Sequence, residues 1–141
     1  MKINHIGVAV EDIGCACCEY EKLGYEKKGG ILVDTGRRIQ VQYIQNDVLR
    51  LELVAPICKG EPSPVNRFIG KGKTYEMYHI CYEVEDMDAS ISEYKQKGYF
   101  LMEEPQKSDA MGGYRTAYLF QKFVGLVELV EIPSSVYREG D

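Results

Sequence analysis

Apolar and polar positions alternate in "NHIGVAVEDI", residues 4–13, and again in "YHICYEVEDM", residues 78–87, where Ile80, Tyr82 and Val84 fall on one side of an extended chain. Each run ends on an aspartate, continues for about ten residues without strand alternation, and stops at a glycine. Asp12 and Asp86 therefore predict helix N-caps, and Gly24 and Gly98 predict the C-terminal stops. Further strand patterns lie at 30–33, 38–44 and 49–54, with "QND" turning between the last two. Their counterparts lie at 99–103, 115–120 and 126–131.

The two stretches are one pattern written twice. A shift of 74 residues lays 4–25 over 78–99 without a gap, matching His5 with His79, Glu11-Asp12 with Glu85-Asp86, and Gly24-Tyr25 with Gly98-Tyr99. Each half reads β-α-β-β-β, so the expected fold is α+β, two tandem β-α-β-β-β modules within a single domain of 141 residues. Module one is expected over 1–57, a proline- and glycine-punctuated crossover over 58–74 with a short helix at 65–69, module two over 75–133, and a tail over 134–141.

The repeat gives the chain's only two histidines equivalent places on each first strand, and puts Glu52 in "LELVAP" and Glu128 in "VELVEIP" on each last strand. Each glutamate is flanked by apolar residues, Leu51 and Leu53 or Val127 and Leu129, so it points to the sheet face opposite theirs. If each module's first and last strands are neighbours, or meet across the pseudo-twofold, the four side chains converge. Two imidazoles and two carboxylates suit a divalent Ni, Co, Mn, Fe or Zn ion with open positions for substrate oxygens. The plain alternative is histidines hydrogen-bonded to backbone and glutamates in solvent; the symmetric placement favours the metal.

Composition narrows the partners. An apolar fraction of 45% and a charged fraction of 28% fit a globular chain rather than a disordered one. A net charge of −5 is the wrong sign for nucleic acid or an anionic membrane and points to a small molecule. No apolar run approaches the roughly 18 residues of a membrane span, and the N-terminus runs straight into a strand pattern, so the expected address is the cytoplasm. The five cysteines, three of them in "CACC" at Cys15, Cys17 and Cys18, fit reduced thiols that pack a helix better than a disulfide framework or a thiolate metal site.

With "HIGVAV", "RLELVAP", "YHICYEV" and "GLVELVE", residues 1–133 resemble the vicinal oxygen chelate superfamily, which includes glyoxalase I, methylmalonyl-CoA epimerase, extradiol dioxygenases and bleomycin-resistance proteins. The resemblance implies sheets curled around one divalent metal, held by His5, Glu52, His79 and Glu128. The complete His, Glu, His, Glu set is similar to nickel-activated bacterial glyoxalase I, so a lyase or isomerase converting the hemithioacetal of methylglyoxal to a lactoyl thioester is the first reading. Nickel or cobalt is the expected ion, with zinc, manganese, iron or magnesium as alternatives. "SPVNRFI" and "EEPQKSDAMGGYRTAYLF" resemble methylmalonyl-CoA epimerase, making an acyl-thioester epimerase the alternative; a non-catalytic ligand-binding or resistance protein ranks third.

Both reactions move a proton beside a metal-polarised oxygen, and Glu128 first, Glu52 second, is the expected base. Some epimerases carry a further glutamate base on the middle strand, where "RRIQVQYI" offers only Gln40 and Gln42 on the polar, site-facing side; a glutamine cannot accept a proton, so either Glu52 and Glu128 supply both bases or the chemistry is not epimerisation. Arg37, Arg38, Arg67 and Arg115 are candidates for an anionic substrate tail or for simple solvation, and 106–113 for a lid or an ordinary hairpin connection. Tyr43 and Tyr118 are expected either to line the pocket or to pack the sheet. A homodimer is the expected assembly.

Overall fold

The computed structural model describes residues 1–135, so most of the expected tail lies outside the described residues. The architecture is α+β, and the described residues divide into two compact units: His5–Tyr78, and Met1–Asn4 with residues 79–135. In the second of these, Asn4 Nδ2 donates to Glu83 Oε2 at 3.0 Å, and Lys2 Nζ lies 4.0 Å from the same carboxylate.

The first unit is built on β1 (Lys2–Val10) from His5 on, α1 (Ile13–Lys22), β2 (Glu26–Asp34), β3 (Ile39–Gln45) and β4 (Arg50–Pro56), with sheet order β2-β3-β4-β1. The second has β5 (Tyr75–Val84) from His79 on, α2 (Met87–Gln96), β6 (Phe100–Lys107), β7 (Arg115–Gln121) and β8 (Gly125–Glu131), in the order β5-β8-β7-β6. In each, the first and last strands pair in parallel and the other neighbours antiparallel. That closes the histidine strand on the glutamate strand.

Local chemistry sets the helix ends. Asp12 Oδ1 accepts from the Cys15 amide at 2.9 Å, and Asp86 Oδ1 from the Ala89 amide at 3.1 Å, each satisfying a donor the helix leaves open. At the far ends Gly24 (φ 96°) and Gly98 (φ 94°) turn left-handed, which lets the Tyr25 amide reach Tyr20 O at 3.1 Å and the Tyr99 amide reach Tyr94 O at 3.0 Å. The apolar contact that accompanies such a stop is a tyrosine pair in both units, Tyr20 with Tyr25 at 5.3 Å and Tyr94 with Tyr99 at 5.4 Å.

Each helix covers one sheet face. Val8, Val10, Ile44, Leu51, Leu53 and Ala55 pack with Ile13 and Cys17 of α1; Val84, Ala117, Leu119, Val127 and Leu129 pack with Met87 and Ile91 of α2. Glu52 and Glu128, one residue out of phase with these, take the opposite face. Cys17 is thus core packing, while Cys15 and Cys18 are exposed on α1.

Several expectations shift. The strand expected at 30–33 is β2, which begins at Glu26 and carries a bulge between Lys28 and Leu32; it is exposed along nearly its whole length, and such an edge shows no burial alternation in sequence. The helix expected at 65–69 is a 3₁₀ turn over Pro64–Arg67. The 106–113 segment is a turn closed on itself by bonds from the Met111 and Gly113 amides to Ser108 O, at 3.1 and 2.8 Å, as in the hairpin reading. No helix among the described residues is long and apolar enough to cross a membrane.

Candidate functional site

Parallel pairing within each unit brings the expected residues together in twos. In the first, Gly7 is level with Glu52 in the β1–β4 register, and His5, two residues earlier, reaches the carboxylate with Nε2 3.7 Å from Oε2. In the second, Cys81 is level with Glu128 in the β5–β8 register, and His79, again two residues earlier, has Nε2 3.1 Å from Oε1. All four are buried, from 0% exposure at His5 to 7% at Glu52. The solvated-glutamate alternative is therefore excluded: burial of an ionisable carboxylate demands compensation, and an imidazole faces each one.

The separations bear on a metal. Two donors about 2.1 Å from one ion lie about 3.0 Å apart at a right angle and about 3.4 Å apart at the tetrahedral angle. The 3.1 Å pair matches the first, and the 3.7 Å pair is a few tenths beyond the second. Imidazole nitrogen with carboxylate oxygen is also the donor mixture that divalent first-row ions take. By distance and by donor chemistry the residues fit such an ion.

A tyrosine completes each face. Tyr43 is level with Glu52 and Tyr118 with Glu128 across the antiparallel β3–β4 and β7–β8 pairs. The Tyr43 hydroxyl donates to Glu52 Oε2 at 2.7 Å, and its ring meets His5 edge-on at 5.9 Å; Tyr118 meets His79 edge-on at 5.4 Å. Both belong to the histidine–glutamate face rather than to the helix packing.

Other expectations change with the side chains in place. Gln40 and Gln42 share the phase of Ile44, not of Tyr43, so they do not stand on the Glu52 face at all. Gln40 donates to Pro56 O at 3.0 Å, and Gln42 to Gly29 O at 3.0 Å, where it serves the bulge of β2. Arg115 is engaged by Glu131 through Nε and Nη2, both at 3.1 Å, with Asp88 at 3.7 Å; this pair and the Met87 amide hold the Glu131 carboxyl below its usual range. Arg37 lies 3.8 Å from Asp34, Arg67 sits over Phe68, and Arg38 is exposed.

Two residues escape a reading by pattern. Cys81, fully buried and level with Glu128, carries the signal that it lies two residues after His79. Arg50 lies two residues before Glu52, with its guanidinium 4.0 Å from the Tyr43 ring centre. An arginine that opens a strand looks like solvation until the ring beneath it is known.

The family model of the glyoxalase/bleomycin resistance protein/dioxygenase superfamily matches residues 4–118. Over 133 residues the chain is 29% identical to an ethylmalonyl-CoA/methylmalonyl-CoA epimerase of Cereibacter sphaeroides, covering 93% of this chain and 98% of that protein. It is 30% identical over 113 residues to the mitochondrial methylmalonyl-CoA epimerase of Homo sapiens, covering 79% of this chain and 62% of that protein. A Streptomyces coelicolor methylmalonyl-CoA epimerase solved in complex with 2-nitronate-propionyl-CoA superposes with a TM-score of 0.76 at 26% identity, over 93% of this chain and 96% of that one.

Proposed function

Because the chain belongs to the glyoxalase/bleomycin resistance protein/dioxygenase superfamily, we propose that it is a metal-dependent epimerase of acyl-CoA thioesters of the methylmalonyl-CoA kind. The observation that carries this reading is the similarity to an epimerase along nearly the full length of both chains. The relatives support the epimerase alternative over the glyoxalase I reaction that the four-donor set by itself puts first. The chemical step does not separate the two, since both reactions remove a proton beside a polarised oxygen; what separates them is the molecule bound.

In this reading His5, Glu52, His79 and Glu128 together hold one divalent ion, supported by the donor separations within each unit. When bound, that ion supplies stabilisation of the negative charge that grows on the thioester oxygen as the α-carbon loses its proton. Glu128 is the carboxylate assigned to take that proton, and Glu52 is the second candidate. Their burial keeps bulk water from competing for the proton. Inversion then requires a proton on the opposite face of the flattened carbon, which the other glutamate of the pair, in its protonated form, would deliver. Turnover in D2O is expected to label the product at the α-carbon and leave recovered substrate unlabelled, as delivery by a separate, solvent-exchanging acid requires.

The test is to load metal-free protein with Ni²⁺, Co²⁺, Zn²⁺ or Mg²⁺ and to assay methylmalonyl-CoA beside the hemithioacetal of methylglyoxal. Epimerisation of the first is expected. Turnover of the hemithioacetal alone would restore the glyoxalase reading, and turnover of neither with any ion would sink both. A cytoplasmic address fits a CoA thioester substrate. The homodimer is also part of this reading, and sedimentation showing only a 16.0 kDa species would overturn it.

A further inference from the structure

Within the first unit, three side chains stand in series. The Arg50 guanidinium lies over the Tyr43 ring at 4.0 Å, and the Tyr43 hydroxyl donates to Glu52 Oε2 at 2.7 Å. Tyr43 is 4% exposed and Glu52 7%, so the bond is made out of water. Arg50 Nε is buried and makes no hydrogen bond among the described residues, which leaves the ring beneath as what its planar group addresses. We propose that Tyr43, stacked beneath Arg50, is a positioning residue that fixes the Glu52 carboxylate as a metal ligand. The inference rests on the metal reading given under the proposed function.

The physical case has two steps. A carboxylate turns easily about its last bond, because a terminal sp³–sp² torsion has broad wells, so a glutamate ligand spends binding free energy on being held in one orientation. A donor at 2.7 Å pins one oxygen in advance and leaves its other lone pairs for the ion. The cation over the ring then draws electron density from the phenol, polarises its O–H and strengthens the bond to a charged acceptor. Tyr43 also meets His5 edge-on, so one side chain touches both expected ligands of its unit.

The repeat supplies a comparison inside the same chain. Tyr118 faces Glu128 as Tyr43 faces Glu52, but the residue two places before Glu128 is Leu126, where the first unit has Arg50. Arg50→Leu therefore writes the second unit's residue into the first.

The experiment is titration of Co²⁺ into metal-free protein by calorimetry, with circular dichroism and thermal melts of each metal-free variant. Tyr43→Phe keeps the ring and removes only the hydroxyl. It is expected to weaken Co²⁺ binding about 10- to 100-fold while the metal-free fold stays as in the wild type. Arg50→Leu is expected to weaken binding in the same direction by a smaller factor, and it carries the test if Tyr43→Phe does not fold. In a Glu52→Ala background, Tyr43→Phe is expected to cause no further loss, because the carboxylate it holds is gone. Wild-type affinity in both single variants, or an equal loss with and without Glu52, would overturn the positioning role while leaving the metal site standing. A wild-type protein that takes up no Co²⁺ would overturn the metal reading, and this inference with it.

Discussion

Glu128 shows how much of a residue's chemistry is decided by its phase in a strand. Its neighbours Val127 and Leu129 pack under α2, so alternation alone turns the carboxylate to the other face, where the parallel pairing of β5 and β8 has brought His79 within 3.1 Å. If it is the proton acceptor, Glu128→Gln keeps shape and volume but cannot take a proton. Epimerisation at saturating substrate should fall by about 10²- to 10⁴-fold with the thermal melt little changed; near-normal turnover would remove Glu128 from that role. The glutamate positions were legible in the sequence because the repeat displayed them twice. Gln40 and Gln42 were not, since assigning them to the site face assumed that polar side chains avoid the face a helix covers. Both stand on that face, with their amides spent on backbone carbonyls.

At the scale of elements, each unit depends on a helix seated by a cap and on strands closed in a set order. Asp86→Ala should cost about 1 kcal/mol in denaturant unfolding, because the Ala89 amide loses its acceptor at the start of α2. Glu131 ties the end of β8 to that same helix by accepting from the Met87 amide and from Arg115, and its carboxyl is held below the ordinary value of 4.5. A depressed folded pKa means stability that is complete above the unfolded value and is lost as pH falls through the folded one. Glu131→Gln should therefore melt lower than the wild type at pH 7, and the gap should close as the pH is taken well below 4.5; a gap independent of pH would show that charge plays no part. Caps and glycine stops were readable because they act within a few residues. The bulge in β2 and the β6 strand reaching Lys107 were not, because an exposed edge leaves no apolar alternation to read.

For the molecule as a whole, the open quantity is how many ions the two histidine–glutamate pairs hold. Two side chains alone make a weak site for a divalent ion, whereas four make a strong one, so the proposed function requires one ion per chain with each unit supplying two ligands. Metal analysis after dialysis should return a stoichiometry of one, and His5→Ala and His79→Ala should each abolish binding, although the two histidines lie in different units. An ion bound only by the folded protein, at about 100 times its Kd, should add about 2.7 kcal/mol of stability. That gain should raise a single melting transition in the wild type and vanish in either histidine variant. Two ions per chain, with each variant losing one and keeping the other, would instead mean that each unit binds on its own and that the repeated pattern encodes two sites.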